Sequence, residues 1–330
     1  MRYLIVALFA CVLTAIVPDR AFAQSAAGAK AVPASGNSKA VTRTKTNAAP
    51  ARSRARAPAA PPARPSEGQL AGLHRTDDPL DLKSSVALVV DQDTNEVLFQ
   101  KNPNTVLPIA SITKLMTALI TVEAGVDLDE QLELDRDDRT LDRVRSRLSP
   151  GMKLTRAQAL HLALMSSENH AAQMLGRTYP GGLGAAVAAM NAKAQLLGMH
   201  ETRFSDPTGL SPENRSSPAD LVRLVNAAYQ HPVLREYSTS SELTIAVGKR
   251  VVRYGNTNGL TSSPDWDIGL QKTGYISAAG RCLVMQAVIE GKRVVMVLLD
   301  SVGKYSRIGD AQRIRQWLEA NKSGTVSPPA

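Results

Sequence analysis

The order of apolar patterns between about residue 80 and residue 322 most restricts how this 330-residue chain can fold. Two β-like runs at 86–91 and 96–101 open the region, and the polar residues 92–95 between them predict a hairpin. Similar runs return near its end, at 266–275, 282–289 and 293–299. Strands at both ends of one domain pair most simply in a single antiparallel sheet. The pattern therefore predicts an α/β (α+β) fold in which N- and C-terminal strands share that sheet.

Helical periodicity fills the middle of this region and closes it. Apolar residues recur at helical spacing over 112–122 and 155–166, an Ala-rich helical pattern covers 185–197, and an amphipathic helix is predicted at 309–320. The core must be mostly aliphatic because only 4% of the residues are aromatic, so a stacking platform for nucleic-acid bases is not expected. The sequence has two cysteines, which excludes a disulfide framework, and Cys282 is predicted to be a buried strand residue.

The first 23 residues have the parts of an export signal. Arg2 precedes an apolar run over 3–17, and Pro18 and the small-residue end Ala21-Phe22-Ala23 follow it. The run is shorter than the about 20 residues that a membrane-spanning helix needs. We therefore expect residues 1–23 to be a signal peptide that is cleaved after about Ala23, so that the mature protein is exported.

Residues 24–79 are predicted to form a disordered linker, because they are rich in Ala, Pro and basic residues and have no apolar periodicity. Much of the net charge of +9 lies here, in Lys30, Lys39, Arg43, Lys45, Arg52, Arg54, Arg56 and Arg64. The rest of the chain is nearly neutral, so a basic fold that wraps nucleic acid is not expected. An alternative to a plain spacer is electrostatic contact between the basic linker and an anionic membrane or wall polymer.

A serine and a lysine at the start of the first predicted helix form a candidate site. Ser111 and Lys114 are three residues apart, which places the hydroxyl and the ammonium on one helical face, one turn apart. A serine hydroxyl is a poor nucleophile alone, but a lysine that burial keeps neutral can take its proton. The pair predicts nucleophilic catalysis, and one chance match to Ser-x-x-Lys is expected in a chain of this length, so further motifs are needed.

Two further polar motifs follow along the chain. Ser167 and Asn169 form a Ser-x-Asn motif after a helical pattern, where a hydroxyl can relay a proton and an amide can bind a peptide group. Lys272-Thr273-Gly274 lies in a β-like run and offers a fixed cation, a hydroxyl and room for a substrate backbone. The sequence lacks Gly-x-Ser-x-Gly and His-Glu-x-x-His motifs, and its five histidines have no ligand spacing. A Ser-His-Asp hydrolase, a metal and an organic cofactor are therefore not predicted.

The three motifs in this order resemble the active site of the penicillin-binding protein and serine β-lactamase superfamily. The segments 204–210, 217–221, 256–258 and 272–280 resemble the low-molecular-mass D-alanyl-D-alanine peptidases, and the soluble endopeptidase type among them most. The resemblance covers about residues 84–320. It implies a β-lactamase/transpeptidase-like fold, with the sheet flanked by helices and a helical subdomain, in a peptidase domain over 80–322 that is followed by a tail over 323–330.

The resemblance also implies roles for the motif residues. Ser111 would be the acylated nucleophile, Lys114 its general base and Ser167 the proton relay towards the leaving amine. Asn169 would contact the substrate, and Lys272 would bind the carboxylate of the substrate. Thr273 would support that carboxylate contact. The remaining implied positions are Gly274, beside which the substrate backbone passes, and the backbone N–H groups of Ser111 and Tyr275, which would form the oxyanion hole.

The expected function is a periplasmic serine D,D-endopeptidase that hydrolyses D-alanyl-diaminopimelate cross-links of peptidoglycan stem peptides through an acyl-enzyme. No Glu-x-x-Leu-Asn motif lies between Asn169 and Lys272, so a deacylating glutamate of the class A β-lactamase kind is absent from the sequence. β-Lactams are therefore expected to be covalent inhibitors. The short segment after the last helix favours an endopeptidase over the alternative, a D-alanyl-D-alanine carboxypeptidase that trims pentapeptide stems. A β-lactam receptor without turnover and a wall-tethering protein are further alternatives.

Overall fold

A computed structural model describes residues 64–138, 146–247 and 250–322 of the chain. Its strands are β1 (Ser84–Asp91), β2 (Val97–Lys101), β3 (Leu107–Pro108), β4 (Gln131–Glu133), β5 (Lys153–Thr155), β6 (Arg215–Ser216), β7 (Glu242–Val247), β8 (Arg250–Gly255), β9 (Asp267–Ile276), β10 (Gly280–Ile289) and β11 (Lys292–Ser301). Its helices are α1 (Glu67–Leu70), α2 (Thr113–Glu123), α3 (Arg156–Met165), α4 (Asn169–Arg177), α5 (Gly182–Leu196), α6 (Pro218–Tyr229), α7 (Pro232–Thr239) and α8 (Ser306–Lys322). Within these residues, no helix combines the length and the apolar character needed to cross a membrane.

Strands from both ends of the described region form one five-stranded sheet. The strand order is β2-β1-β11-β10-β9, and every neighbouring pair is antiparallel. This confirms the predicted α/β fold with an antiparallel sheet of N- and C-terminal strands. β1 lies between β2 and β11, with Val86 opposite Leu299 and Leu88 opposite Val297. β9 is an edge strand, so one side of its backbone is free of sheet pairing.

The two faces of this sheet are covered by different cores. Val86 packs with the central helices, whereas Ala87 and Val89 belong to a second cluster that includes residues of α8. Successive side chains of a strand point to opposite faces, so alternate residues of β1 enter alternate cores. In the second core, Phe99 packs edge-on against Trp317 of α8, with ring centroids 5.9 Å apart. The sheet is therefore a middle layer, and all 8 residues of β1 are buried.

α2 is the central helix of the first core. It is buried at every residue from Thr113 to Thr121, and α3, α4, α5 and α6 contact it. α3 begins at a capping box in which Thr155 and Gln158 exchange hydrogen bonds. α6 begins at a Ser217 cap that Pro218 follows, a residue suited to the first helical position. These helices form a layer against the sheet, and the candidate residues lie where that layer meets β9.

α1 (Glu67–Leu70) lies inside the stretch 24–79 that was predicted to be a disordered linker, so the prediction is wrong for these residues. Ser66 caps α1 and exchanges hydrogen bonds with Gln69, and the Glu67 carboxylate lies 2.7 Å from the Arg215 guanidinium. The backbone N–H of Glu67 donates to the carbonyl of Ala278 at 2.9 Å. A four-residue helix has little stability of its own, so these distant contacts hold it. The predicted signal peptide at 1–23, the linker residues 24–63 and the predicted tail at 323–330 lie outside the described residues.

Candidate active site

Ser111 lies in a short helical turn at the entrance to α2 and is 8% exposed. The residue before it, Ala110, has a φ of 49°, which is unusual for a residue with a side chain. Two glycines allow other backbone segments to approach this turn closely. A Cβ atom on Gly209 would lie 1.9 Å from the Ala110 carbonyl oxygen, and one on Gly274 would lie 3.2 Å from the Ser111 nitrogen. The turn is therefore fixed between β9 and the loop that contains Gly209.

Lys114 reaches from the first turn of α2 back to Ser111. Its Nζ lies 2.8 Å from Ser111 Oγ, 2.7 Å from Asn169 Oδ1 and 2.6 Å from the carbonyl oxygen of Thr208. The residue is completely buried. The carbonyl and the amide oxygen can only accept hydrogen bonds, so both amine protons of a neutral lysine have partners there. The lone pair of that amine is then available to the proton on Ser111 Oγ.

The burial of Lys114 also changes its acidity. Burial lowers the pKa of Lys114 from 10.5 to about 7, while the negative charges of Asp206 and Glu168 oppose the shift. A group with a pKa near the ambient pH is populated in both protonation states, which suits a general base. The environment of Lys114 therefore makes it able to accept a proton at neutral pH.

A second buried lysine lies on β9. Lys272 Nζ donates to Ser167 Oγ and to the Thr273 carbonyl, each at 2.9 Å, and the residue is completely buried. Burial, followed by repulsion from Lys114 and Arg307, lowers its pKa well below 10.5. Ser167 is the last residue before the Glu168 cap of α4 and has a φ of 60°. This backbone conformation directs the Ser167 hydroxyl towards β9. The Ser-x-Asn motif and the Lys-Thr-Gly motif therefore meet there.

The rest of the third motif lines the free edge of β9. Thr273 Oγ1 lies 2.6 Å from Thr257 Oγ1, in the loop after β8. A Cβ atom on Gly274 would lie within 3 Å of a backbone oxygen of the Ser111 turn, so a side chain there would displace the nucleophile candidate. Tyr275 is 50% exposed, and the Arg281 guanidinium lies 4.5 Å from its ring centroid. Ser111, Lys114 and Asn169 thus share one hydrogen-bonded group, and Ser167 and Lys272 share another.

Asp206 supports the site, although the motifs gave it no separate role. Its carboxylate accepts hydrogen bonds from the backbone N–H groups of Thr208, Gly209 and Ser211. Burial alone would raise the pKa of Asp206, but these hydrogen bonds outweigh it and lower the pKa. The carboxylate therefore stays charged, orders the loop that presents the Thr208 carbonyl to Lys114, and stabilises a proton on that lysine. The Asp-Pro-Thr-Gly segment is a local sequence signal for this loop.

Arg307 is a buried cation that the sequence motifs missed. It lies near the start of α8 and is 8% exposed, and its Nε and one terminal nitrogen have no hydrogen-bond partner among the described residues. Burial and the charge of Arg281 lower its pKa. Arg307 also contributes to the lowered pKa of Lys272, which places the two charges in one electrostatic environment. No short motif contains Arg307, and it lies just before the helix predicted at 309–320, so the sequence offered no signal for it.

The histidines and cysteine of the described region have other positions. Cys282 is completely buried in β10, and burial raises the pKa of its thiol to about 12, so the predicted buried strand residue is confirmed. The His161 ring stacks on Tyr237 at 4.5 Å, and burial lowers its pKa. Across the described residues, no group of three or more His, Cys, Asp or Glu side chains is placed to hold a metal ion.

Comparisons with known proteins agree with this arrangement. A family model described as D-alanyl-D-alanine carboxypeptidase matches residues 73–303. The chain is 46% identical over 253 residues to the D-alanyl-D-alanine endopeptidase of Pseudomonas aeruginosa, covering 76% of this chain and 82% of that protein. It is 44% identical over 245 residues to the D-alanyl-D-alanine endopeptidase of Escherichia coli, covering 73% and 79%. A solved D-alanyl-D-alanine carboxypeptidase from Mycobacterium tuberculosis superposes with a TM-score of 0.68 at 27% identity, covering 77% of this chain and 96% of that one.

Proposed function

The chain belongs to the D-alanyl-D-alanine carboxypeptidase family of serine peptidases, and from this premise we propose that it is a D,D-endopeptidase that hydrolyses D-alanyl-diaminopimelate cross-links of peptidoglycan. The observation that carries the proposal is the 2.8 Å contact between Lys114 Nζ and Ser111 Oγ in a fully buried group. Two relatives above 40% identity carry the name D-alanyl-D-alanine endopeptidase, which supports cleavage of the cross-link.

In the acylation step, neutral Lys114 takes the proton of Ser111, and Oγ attacks the D-alanyl carbonyl carbon. The backbone N–H groups of Ser111 and Tyr275 donate to the oxygen that becomes negative in the tetrahedral intermediate. Ser167 then gives its hydroxyl proton to the departing amine of the second stem peptide as the C–N bond breaks, and takes in its place the proton that Lys114 removed from Ser111, so that Lys114 is neutral again in the acyl-enzyme. Water hydrolyses the resulting ester and regenerates the Ser111 hydroxyl and neutral Lys114.

Substrate binding in this proposal uses the edge of β9. The free carboxylate that follows the scissile bond binds Lys272, and Thr273 supports it with its hydroxyl. Asn169 donates its amide to a substrate peptide carbonyl while its oxygen holds Lys114. Gly274 leaves room for an extended substrate backbone to lie beside β9, which is a recurrent way for a sheet edge to bind a peptide.

The proposal extends to location and inhibition. The export signal predicted at 1–23 supports a periplasmic site of action, where the substrate lies. β-Lactams would acylate Ser111 and leave slowly, because the sequence between Asn169 and Lys272 has no Glu-x-x-Leu-Asn motif. The proposal also includes electrostatic contact of the basic linker predicted at 24–79 with an anionic membrane or wall polymer.

A second candidate function is removal of the terminal D-alanine from pentapeptide stems. The description of the matching family model favours it, since that description is a carboxypeptidase. Both substrates present a D-alanyl carbonyl followed by a D-centre with a free carboxylate, so Lys272 would serve either one.

A digest of defined muropeptides tests both functions. The purified protein and its Ser111→Ala variant are incubated with cross-linked dimers and pentapeptide monomers, and the products are separated by mass. Conversion of dimers to monomers only with Ser111 intact is the result expected for an endopeptidase. Loss of one alanine from pentapeptides with dimers untouched would contradict it and establish the carboxypeptidase instead.

A further inference from the structure

A cavity lies beside the candidate active site, at the end of β9. It has a volume of about 320 Å³, and its wall includes Arg64, Ser66, Tyr275, Arg281, Ser301 and Lys304. Three of these side chains are cationic and none is acidic. Tyr275 connects the cavity to the site, because its backbone belongs to the proposed oxyanion hole and its ring forms part of the cavity wall.

Arg281 is held in this wall by the sheet itself. It is the cross-strand partner of Tyr275 in the pairing of β10 with β9, and its guanidinium lies 4.5 Å from the centroid of the Tyr275 ring. Cross-strand partners lie on the same face of a sheet, so this contact follows from the register. The position of the Arg281 charge is therefore set by two paired strands.

A further cation, Arg307, lies close enough to Arg281 for the two charges to interact, although it does not line the cavity. Arg307 is buried, and the nearby charge of Arg281 is one cause of its lowered pKa. Two of its nitrogens have no hydrogen-bond partner among the described residues. Two buried acids near the wall do not line the cavity: Asp300, whose carboxyl has a pKa raised by burial, and Asp310, which accepts a hydrogen bond from Ser301 and pairs with Arg313. Because the lining has three cations and no acidic side chain, it favours the binding of an anion.

The direction of the substrate along β9 indicates which part of it would reach the cavity. In the proposed function, the carboxylate after the scissile bond binds at Lys272 and Thr273, and the scissile carbonyl lies at the N–H of Tyr275. The residues before the scissile bond therefore continue past Tyr275 towards the end of β9. The cavity begins at that point.

We propose that this cavity binds a second carboxylate of the substrate, one carried by the donor stem peptide ahead of the scissile D-alanyl residue. The inference rests on the proposed function for the identity of the peptide. The γ-linked glutamate and the diaminopimelate of a donor stem each carry a free carboxylate. Arg281 and Lys304 are the residues that would bind it, and amidation of those carboxylates would remove the charge that they recognise.

A binding measurement tests the inference without turnover. The probes are the peptide L-alanyl-γ-D-glutamyl-diaminopimelate with free carboxylates and the same peptide with the glutamate α-carboxylate and the distal diaminopimelate carboxylate amidated. Calorimetry with the Ser111→Ala protein is expected to give roughly tenfold tighter binding of the free peptide, a preference that declines as salt is added. Arg281→Gln and Lys304→Gln should each bring the preference to within about twofold. Lys304 is exposed on a loop, so its variant keeps the test valid if Arg281→Gln does not fold.

Lys292→Gln is the matched control, because Lys292 is exposed at the opposite end of the β10–β11 hairpin. It should keep the tenfold preference. Equal affinities for the two peptides, or a preference that survives both cavity variants, would overturn the inference. The proposed function is judged separately by cleavage of dimers with Ser111 intact, so its failure would appear in the digest and not in this binding preference.

Discussion

The regions around Lys114 and Lys272 both contain a completely buried lysine, yet their surroundings differ in charge. Burial lowers the pKa of Lys114 to about 7, with two acids opposing the shift. Around Lys272, repulsion from Lys114 and Arg307 adds to the effect of burial. The first region is thus balanced to exchange a proton near neutral pH. Among the charged groups of the described residues, only cations contribute to the lowered pKa of Lys272, which is the arrangement expected of a site that receives a negative charge from outside.

Removing the lysine of the first region is expected to have the largest effect. Lys114→Met replaces the amine by an apolar side chain of similar length and leaves Ser111 without a base. General-base catalysis contributes about 10²–10⁴-fold, so the rate of acylation by benzylpenicillin should fall by that factor. Stopped-flow or mass-resolved acylation kinetics measure it. Circular dichroism controls for folding, and a folded variant that is acylated within tenfold of the wild-type rate would contradict the role of Lys114.

Removing the lysine of the second region is expected to depend on the substrate. A hydrogen bond to a charged group contributes about 1.5–3 kcal/mol, so Lys272→Met should lower kcat/KM for a D-alanyl-D-alanine peptide by roughly 10–150-fold. The methyl ester of the same peptide has no carboxylate charge and should lose much less. Parallel kinetics with acid and ester give the ratio. Equal losses on both would remove the distinction between the two regions and assign Lys272 to the proton relay through Ser167.

The depressed pKa of Lys114 also predicts how stability changes with pH. Between about pH 7 and 10.5 the folded state binds fewer protons at Lys114 than the unfolded state does, so stability rises with pH. The wild-type free energy of unfolding should therefore increase by about 1.4 kcal/mol per pH unit more than that of Lys114→Met across this range. Urea titrations at pH 7.5 and 9.5 measure the difference. Lys272→Met should also lose slope relative to wild type, and parallel curves for all three proteins would count against depressed pKa values in both regions.

The smallest expected effect is on the pH profile of acylation. With a pKa of about 7, the neutral fraction of Lys114 increases roughly fivefold from pH 6 to pH 7, and the acylation rate should increase with it before levelling off. Glu168→Gln removes one of the charges that favour protonated Lys114. It should move the rising limb to lower pH by a few tenths of a unit. A limb that stays in place would mean that Glu168 does not influence the base.

Much of the fold was predictable because its signals are long or repeated. β10 and β11 are apolar over most of their length and are joined by the turn at 290–292, which also sets their register. The hairpin of β7 and β8 was not predicted, because residues such as Val251, which is 73% exposed, break the usual alternation. α1 was placed in the linker because its contacts, including the pair of Glu67 with Arg215, come from parts of the chain that no local pattern connects.

The candidate site was predictable to a similar extent. Ser111 and Lys114 share a helical turn, so their spacing alone brought them together, and the observed 2.8 Å contact agrees with it. The meeting of Ser167 with Lys272 depends on where the tertiary fold places the connection between α3 and α4 relative to β9, and only the resemblance implied it. Arg307 was missed because its importance comes from burial and from nearby charges, which a single arginine just before the helix predicted at 309–320 does not reveal.

The position of Arg64 in the cavity wall gives the peptidase domain a polarity that matters for handling it. Arg64 and Ser66 lie in the wall of the cavity beside Tyr275, whereas Asn321 near the end of α8 lies by the turn between β10 and β11. That turn is at the far end of these ten-residue strands, roughly 30 Å from the cavity. An affinity tag or immobilisation point added directly before residue 64 would crowd the mouth of the site. The same addition after residue 322 would leave that mouth facing away from the support.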